Sequence, residues 1–239
     1  MSFAQALKRR WKWLLLIVPV AAVVVYFGSA FVYIHFIEPD PAKPLAFSTV
    51  DSGSSSSAGD PSATAAGTID GTWTIAAGSK VQYRVQEVLS GQDNTATGTA
   101  SGVSGTFTIA GTTVSKASFT VDMKTFASGE DRRDAQFDGR IMQVSQFPTS
   151  TFELTSPIDL GSIPDNLVEV TVQAKGNFTL HGTTKAVTIE MKARRNGSQV
   201  ELNGTVPVTF ADYGINNPSG GPAQVGDTGD LEFLLIFTK

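Results

Sequence analysis

VEVTVQAKGNFTL at residues 168–180, HG at 181–182 and TTKAVTIEMKA at 183–193 together decide the fold. Val168, Val170, Val172, Ala174, Gly176, Phe178 and Leu180 alternate with Glu169, Thr171, Gln173, Lys175, Asn177 and Thr179. After the turn, Val187, Ile189, Met191 and Ala193 keep the same rhythm. Strict period two with one polar face marks antiparallel strands packed on one side. A short turn containing glycine joins such strands as a hairpin.

The pattern recurs at Val81, Tyr83 and Val85, at Phe119, Val121 and Met123, and at Val200, Leu202, Val206, Val208 and Phe210. Several runs are longer than sandwich strands usually are. Joined by turns such as His181-Gly182 and Asn196-Gly197, they predict an all-β, up-and-down barrel. Ser128 to Pro148 breaks the alternation. Ser128 with Asp131 resembles a capping box, and Ala135, Phe137, Ile141 and Met142 suit a short amphipathic helix covering one end or side of the barrel. The last run, Leu231 to Phe237, is apolar on both faces and calls for something packed on its outside.

Upstream of the barrel, Trp13 to Ile37 is an apolar run broken only by Pro19, Gly28, Ser29 and His35. As a helix it spans roughly 37 Å, enough to cross a hydrocarbon core of about 30 Å. Lys8, Arg9, Arg10 and Lys12 precede the run, and Glu38 and Asp40 follow it. The positive-inside rule then predicts a cytoplasmic segment 1–12, a transmembrane helix 13–37 and an extracytoplasmic remainder in the cell membrane. A cleaved leader ending near Gly28-Ser29-Ala30 is the alternative. It is disfavoured because Phe31 to Ile34 continue the apolar run. Residues 38–68 are rich in Pro, Ser, Gly and Ala with few large apolar side chains, and predict a flexible tether to a barrel domain at 69–239.

Composition excludes several functions. The 239 residues carry a net charge of −4, with no basic block beyond the N-terminus, so nucleic acid is not an expected partner. There is no Cys, and the two His are His35, inside the apolar run, and His181, in a turn. Disulfides, thiolate nucleophiles, a metal centre and a cofactor are therefore not expected, and no Ser-His-Asp set is in view.

The ordered segments resemble the YceI-like family from about Asp70 to the C-terminus. The likeness rests on Gly71-Thr72-Trp73-Thr74-Ile75 followed by Ser79 to Val85, on Arg133-Asp134 leading through Gln146-Phe147-Pro148 to Thr151-Phe152, on Gly176 to Lys185, and on Asp212-Tyr213-Gly214-Ile215 ahead of Val225-Gly226-Asp227. That resemblance implies an eight-stranded antiparallel, lipocalin-like barrel around an elongated apolar cavity holding a long-chain amphiphile, typically a polyisoprenoid. Where the family commonly carries histidines in its first long strand, this chain has Gly78 and Glu87.

On alternation alone, Phe107, Phe119, Phe178 and Phe210 read as core filling. The resemblance instead implies a binding surface of Tyr83, Val85, Glu87, Phe107, Phe119, Val121, Arg133, Ile141, Met142, Phe152, Phe178 and Phe210, with Arg133 at the mouth facing an anionic headgroup. Gly214 to Gly229, rich in Gly and Pro, is expected to form a loop able to act as a lid. The resulting expectation is a non-enzymatic binder of an isoprenoid or fatty-acyl lipid, tethered to the membrane and serving transport, storage or protection during envelope stress. A homodimer is compatible with it. The alternative is a ligand-free structural or interaction module presented on a stalk.

Overall fold

The computed structural model describes residues 40–47, 69–221 and 223–239, with five further single positions at Val18, Pro19, Val25, Gly28 and Val32. Twelve strands follow one another: β1 Gly71–Ile75, β2 Lys80–Leu89, β3 Gln92–Ala100, β4 Val103–Ala110, β5 Thr113–Asp122, β6 Thr149–Leu154, β7 Ile158–Asp159, β8 Val170–Leu180, β9 Thr183–Asn196, β10 Gln199–Thr209, β11 Ala223–Val225 and β12 Thr228–Thr238. One short helix, α1, covers Asp131–Gln136.

Eight strands make the barrel. Neighbours run β1-β4-β5-β6-β8-β9-β10-β12, and β12 closes the ring on β1 through Thr238 opposite Thr74 and Phe237 opposite Ile75. The expected antiparallel, eight-stranded architecture is therefore present, and the hairpin quoted above is β8–β9. Its turn residues His181 and Gly182 have φ of 49° and 73°, the positive values that a two-residue turn of this hand requires. The other strands are additions. At the opposite end of the ring β12 leaves β1 and pairs with β2 through residues 230–234. The β2–β3 hairpin widens that end, and a Thr99–Ala127 bridge ties it back. β7 and β11 merely extend β5 and β2.

The closed end is packed with aromatics. Trp73 stacks parallel to Phe107 with ring centroids 6.0 Å apart, and Phe107 meets Phe237 edge-on at 4.9 Å. The Trp73 indole N–H donates to the Ile69 carbonyl at 2.8 Å, so no polar atom is left unpaired there.

Segment 128–148 departs from its expected form. Glu130, not Ser128, caps α1, its carboxylate accepting from the Arg132 and Arg133 amides. Ser128 is occupied elsewhere: its hydroxyl donates to Asp134 Oδ1 at 2.6 Å. After α1 the chain continues as a π-helical turn over Phe137–Ile141.

The outer wall answers the question raised by β12. Gln82, Thr97, Arg194, Glu201 and Glu232 belong to the polar faces of their strands, yet each is buried. Part of their cover is residues 40–47, DPAKPLAF, lying against the wall. Ala42 N donates to Thr97 Oγ1 at 2.9 Å, and its carbonyl accepts from Arg84 Nη2 at 2.6 Å. The Lys43 carbonyl accepts from Gln82 at 3.1 Å. Leu45 N donates to Glu232 Oε2 at 3.1 Å, while its carbonyl accepts from Asn203 at 2.8 Å. Phe47 lies 4.4 Å beneath the Arg194 guanidinium. Pro41 and Pro44 favour an extended backbone, which leaves carbonyls free for the wall's donors. Within the expected tether 38–68, then, residues 40–47 are held by the barrel, whereas 48–68 lie outside the described residues. The expected span 13–37 also falls almost wholly outside them. Among the described residues no helix is long and apolar enough to cross a membrane.

Arg194 and Glu201 form a tight pair at 2.7 Å, with side chains 8% and 5% exposed. Removing one partner of such a pair strands the other charge. Glu201→Ala is expected to lower the unfolding free energy by about 3–5 kcal/mol. Glu169→Ala, which breaks the exposed Lys192 pair, should cost less than about 1 kcal/mol. Urea titration of the two variants measures both.

Candidate ligand cavity

The splayed end of the barrel encloses a cavity of about 920 Å³. Its walls come from inward-facing positions of the long strands: Tyr83 and Val85 on β2, Ala96 on β3, Val208 on β10 and Leu231 on β12. Phe126, Phe137, Ile141 and Met142 roof it. The segment 214–227 closes the other side, pinned by Asn217, whose side-chain amide donates to Val225 O, Gly226 O and Asp227 Oδ1. Arg140 Nη2 latches the roof to this segment through the Pro218 carbonyl at 2.8 Å. The expected lid thus lies over the mouth, and part of it is the strand β11 paired with β2.

Tyr83 organises the wall beneath the roof. Its ring stacks on Phe137 with centroids 5.1 Å apart and tilts against Phe126 at 5.7 Å. It crosses directly over Gly98 of β3, where any side chain would collide with the ring. Burial, the largest effect, pushes the Tyr83 phenol well above its ordinary range, against the lowering influence of nearby Arg133. Charged groups gather around Glu87 and Arg133. Glu87 accepts from Asn94 at 2.8 Å and lies 3.9 Å from the Arg133 guanidinium. Arg132 and Arg140 join Arg133 there, both exposed. Partial burial, and after it the Asp134 charge, raise the Asp138 carboxyl above the usual range.

Below the cavity the barrel is filled. Two small voids of about 70 and 80 Å³ remain, each with no polar lining. Leu231 separates the large cavity from the first void, and Phe119 and Phe152 border both voids. Of the twelve residues expected at the binding surface, Tyr83, Val85, Glu87, Arg133, Ile141, Met142 and Phe210 line the large cavity. Phe107, Phe119, Val121, Phe152 and Phe178 sit in the filled part, because eight strands leave an interior that bulky side chains can occupy completely. Sequence reasoning missed Phe126, Leu231 and the two exposed arginines. Phe137 was legible: it precedes Ile141 by one helical turn. His181 lies away from the cavity, its Nδ1 3.1 Å from the Tyr213 carbonyl and its ring against Phe147.

Residues 73–237 match the YceI-like domain. The chain belongs to the YceI-like family. No curated protein matches it. Among solved structures, a polyisoprenoid binding domain from Saccharophagus degradans is similar at 15% identity and a TM-score of 0.56, over 70% of this chain and 97% of that one. Burkholderia cenocepacia BcnA is similar at 19% identity and a TM-score of 0.52, over 66% and 95%. At these identities the likeness is one of fold. What the YceI-like barrel of this chain adds is its own cavity and rim.

Tyr83 gives this site a measurable signature. Above pH 10.0, the ordinary tyrosine value, an unfolded chain releases a phenolic proton that the folded protein retains at Tyr83. Folding stability should therefore fall as pH rises past that value, by up to about 1.4 kcal/mol per pH unit for this group. Tyr83→Phe removes this contribution. Denaturation midpoints between pH 8 and 11 are expected to slope less steeply in the variant than in the wild type.

Proposed function

We propose that this protein is a membrane-tethered, extracytoplasmic lipid carrier that holds a polyisoprenoid or other long-chain amphiphile in the barrel, for transport, storage or protection of the envelope. The observation that carries the reading is the cavity of about 920 Å³, lined mainly by apolar side chains, with the exposed Arg132 and Arg140 among its charged ones. Pockets that take small ligands have about this size and this distribution of polarity. The description of the S. degradans relative as polyisoprenoid binding supports the choice of ligand class.

Burial of a hydrocarbon chain contributes about 0.8 kcal/mol per CH₂ in gross terms, so long chains need no special polar contact. The same physics discriminates weakly, since one methylene is worth only about 1–3 kcal/mol. Orientation comes from the rim, where Arg132, Arg133 and Arg140 offer guanidinium donors to an anionic or strongly polar headgroup. For the tether, the support is the apolar run 13–37 with its basic N-terminal flank. Val18, Val25 and Val32 within it are helical and exposed, 62%, 68% and 47% respectively. Exposed apolar helix is what a bilayer covers.

Native mass spectrometry of the detergent-purified chain should find a long-chain amphiphile bound. Val85→Trp, which places an indole in the cavity, should reduce its occupancy at least tenfold while leaving the far-ultraviolet β signal intact. A wild-type protein that is consistently empty after mild purification, and that takes up no prenyl or acyl amphiphile, overturns the proposal.

A further inference from the structure

The course of residues 40–47 along the barrel has a direction. Ala42 contacts Arg84 and Thr97, a cross-strand pair level with Asp230, near the start of β12. Asp230 lines the cavity. Leu45 contacts Asn203, which is level with Leu234. Phe47 reaches Arg194, whose partner Glu201 is level with Ile236, beside the closing pair of β12 with β1. The segment therefore descends the wall from the mouth toward the closed end.

We propose that the mouth of the cavity faces the bilayer at close range, the partner of this surface being the lipid headgroup layer. The inference rests on the membrane tether proposed above and adds an orientation to it. Ile37, the last residue of the apolar run, lies three residues before Asp40. Three residues span at most about 11 Å. Chain emerging from a membrane must therefore arrive at the mouth end first, and the contacts at Ala42 to Phe47 keep it there. A tether free over residues 38–68 would instead have a reach of roughly 100 Å and no preferred orientation. The docked segment thus turns a long leash into a short mount. An amphiphile then passes between bilayer and cavity without its apolar chain crossing open water, which would cost about 0.8 kcal/mol for every CH₂ exposed.

The absence of Cys makes the orientation directly measurable. Ser90→Cys places a fluorophore in the β2–β3 turn at the mouth, and Ser198→Cys places one in the β9–β10 turn at the other end. The full chain is reconstituted into phosphatidylcholine–phosphatidylglycerol vesicles containing a headgroup-linked nitroxide quencher. The label at residue 90 should be quenched at least threefold more than that at 198. Inserting twenty Gly-Ser residues between Glu38 and Pro39, outside the barrel and its docked segment, should abolish the difference. Equal quenching at both sites in vesicle-bound protein, or stronger quenching at 198, overturns the orientation while leaving lipid binding intact, and a difference that survives the insertion overturns the docked segment as its cause. Protein that does not float with the vesicles overturns the tether itself, and the orientation with it.

Discussion

One edge of the last strand is shared between two partners while β10 holds the other, and the rest of the molecule follows from that division. At its C-terminal end β12 pairs with β1 and closes the eight-stranded ring. At its N-terminal end it pairs with β2, which diverts the wall outward into the β2–β3 hairpin. A ring of eight leaves an interior that side chains can fill or that can hold one small ligand, and here its lower part is filled. Added wall at one end enlarges the perimeter there. The enclosed space must then be roofed, and α1, the π-helical turn after it and the 214–227 segment do so. The cavity is in this sense a product of sheet topology more than of small side chains.

Legibility in the sequence tracks how local each determinant is. The strands could be read because period-two alternation is written residue by residue, as in Val168 to Leu180. The His181-Gly182 turn could be read because its chemistry is confined to two residues. The depth of each inward-facing residue could not. Phe119 and Phe210 look alike in sequence, each an aromatic in a β pattern, yet Phe119 borders the two deep voids and Phe210 the cavity. What separates them is position along the barrel axis, set by strand register between residues far apart in the chain. The helix cap illustrates a nearer miss. The helix starts at Asp131, so Glu130 caps it, while Ser128 Oγ accepts from the Glu130 amide and donates to Asp134.

Residues 40–47 show a different failure of local reasoning. Their composition is that of a linker, and by themselves they have no core to join. Their partners are polar groups on the outside of a sheet, in Arg84, Gln82, Glu232 and Asn203, contributed by three different strands. A hint existed in the two-sided apolar character of Leu231 to Phe237. It announced that something covers this wall without saying what. Main-chain recognition of this kind depends on carbonyl and amide spacing and so leaves almost no side-chain signature.

The filled lower half of the barrel has a consequence for the proposed carrier role. Phe107 stacks on Trp73 and meets Phe237 edge-on beneath the cavity, and none of the three lines it. A bound ligand adds stability only as the logarithm of its concentration over its dissociation constant. A barrel hollow from end to end would depend on that contribution and would risk collapse each time its cargo left. Here the aromatic plug is built from the chain's own side chains, so the proposed emptying and refilling of the chamber above it would leave the plug in place. Durability and the proposed exchange would then belong to opposite ends of one barrel.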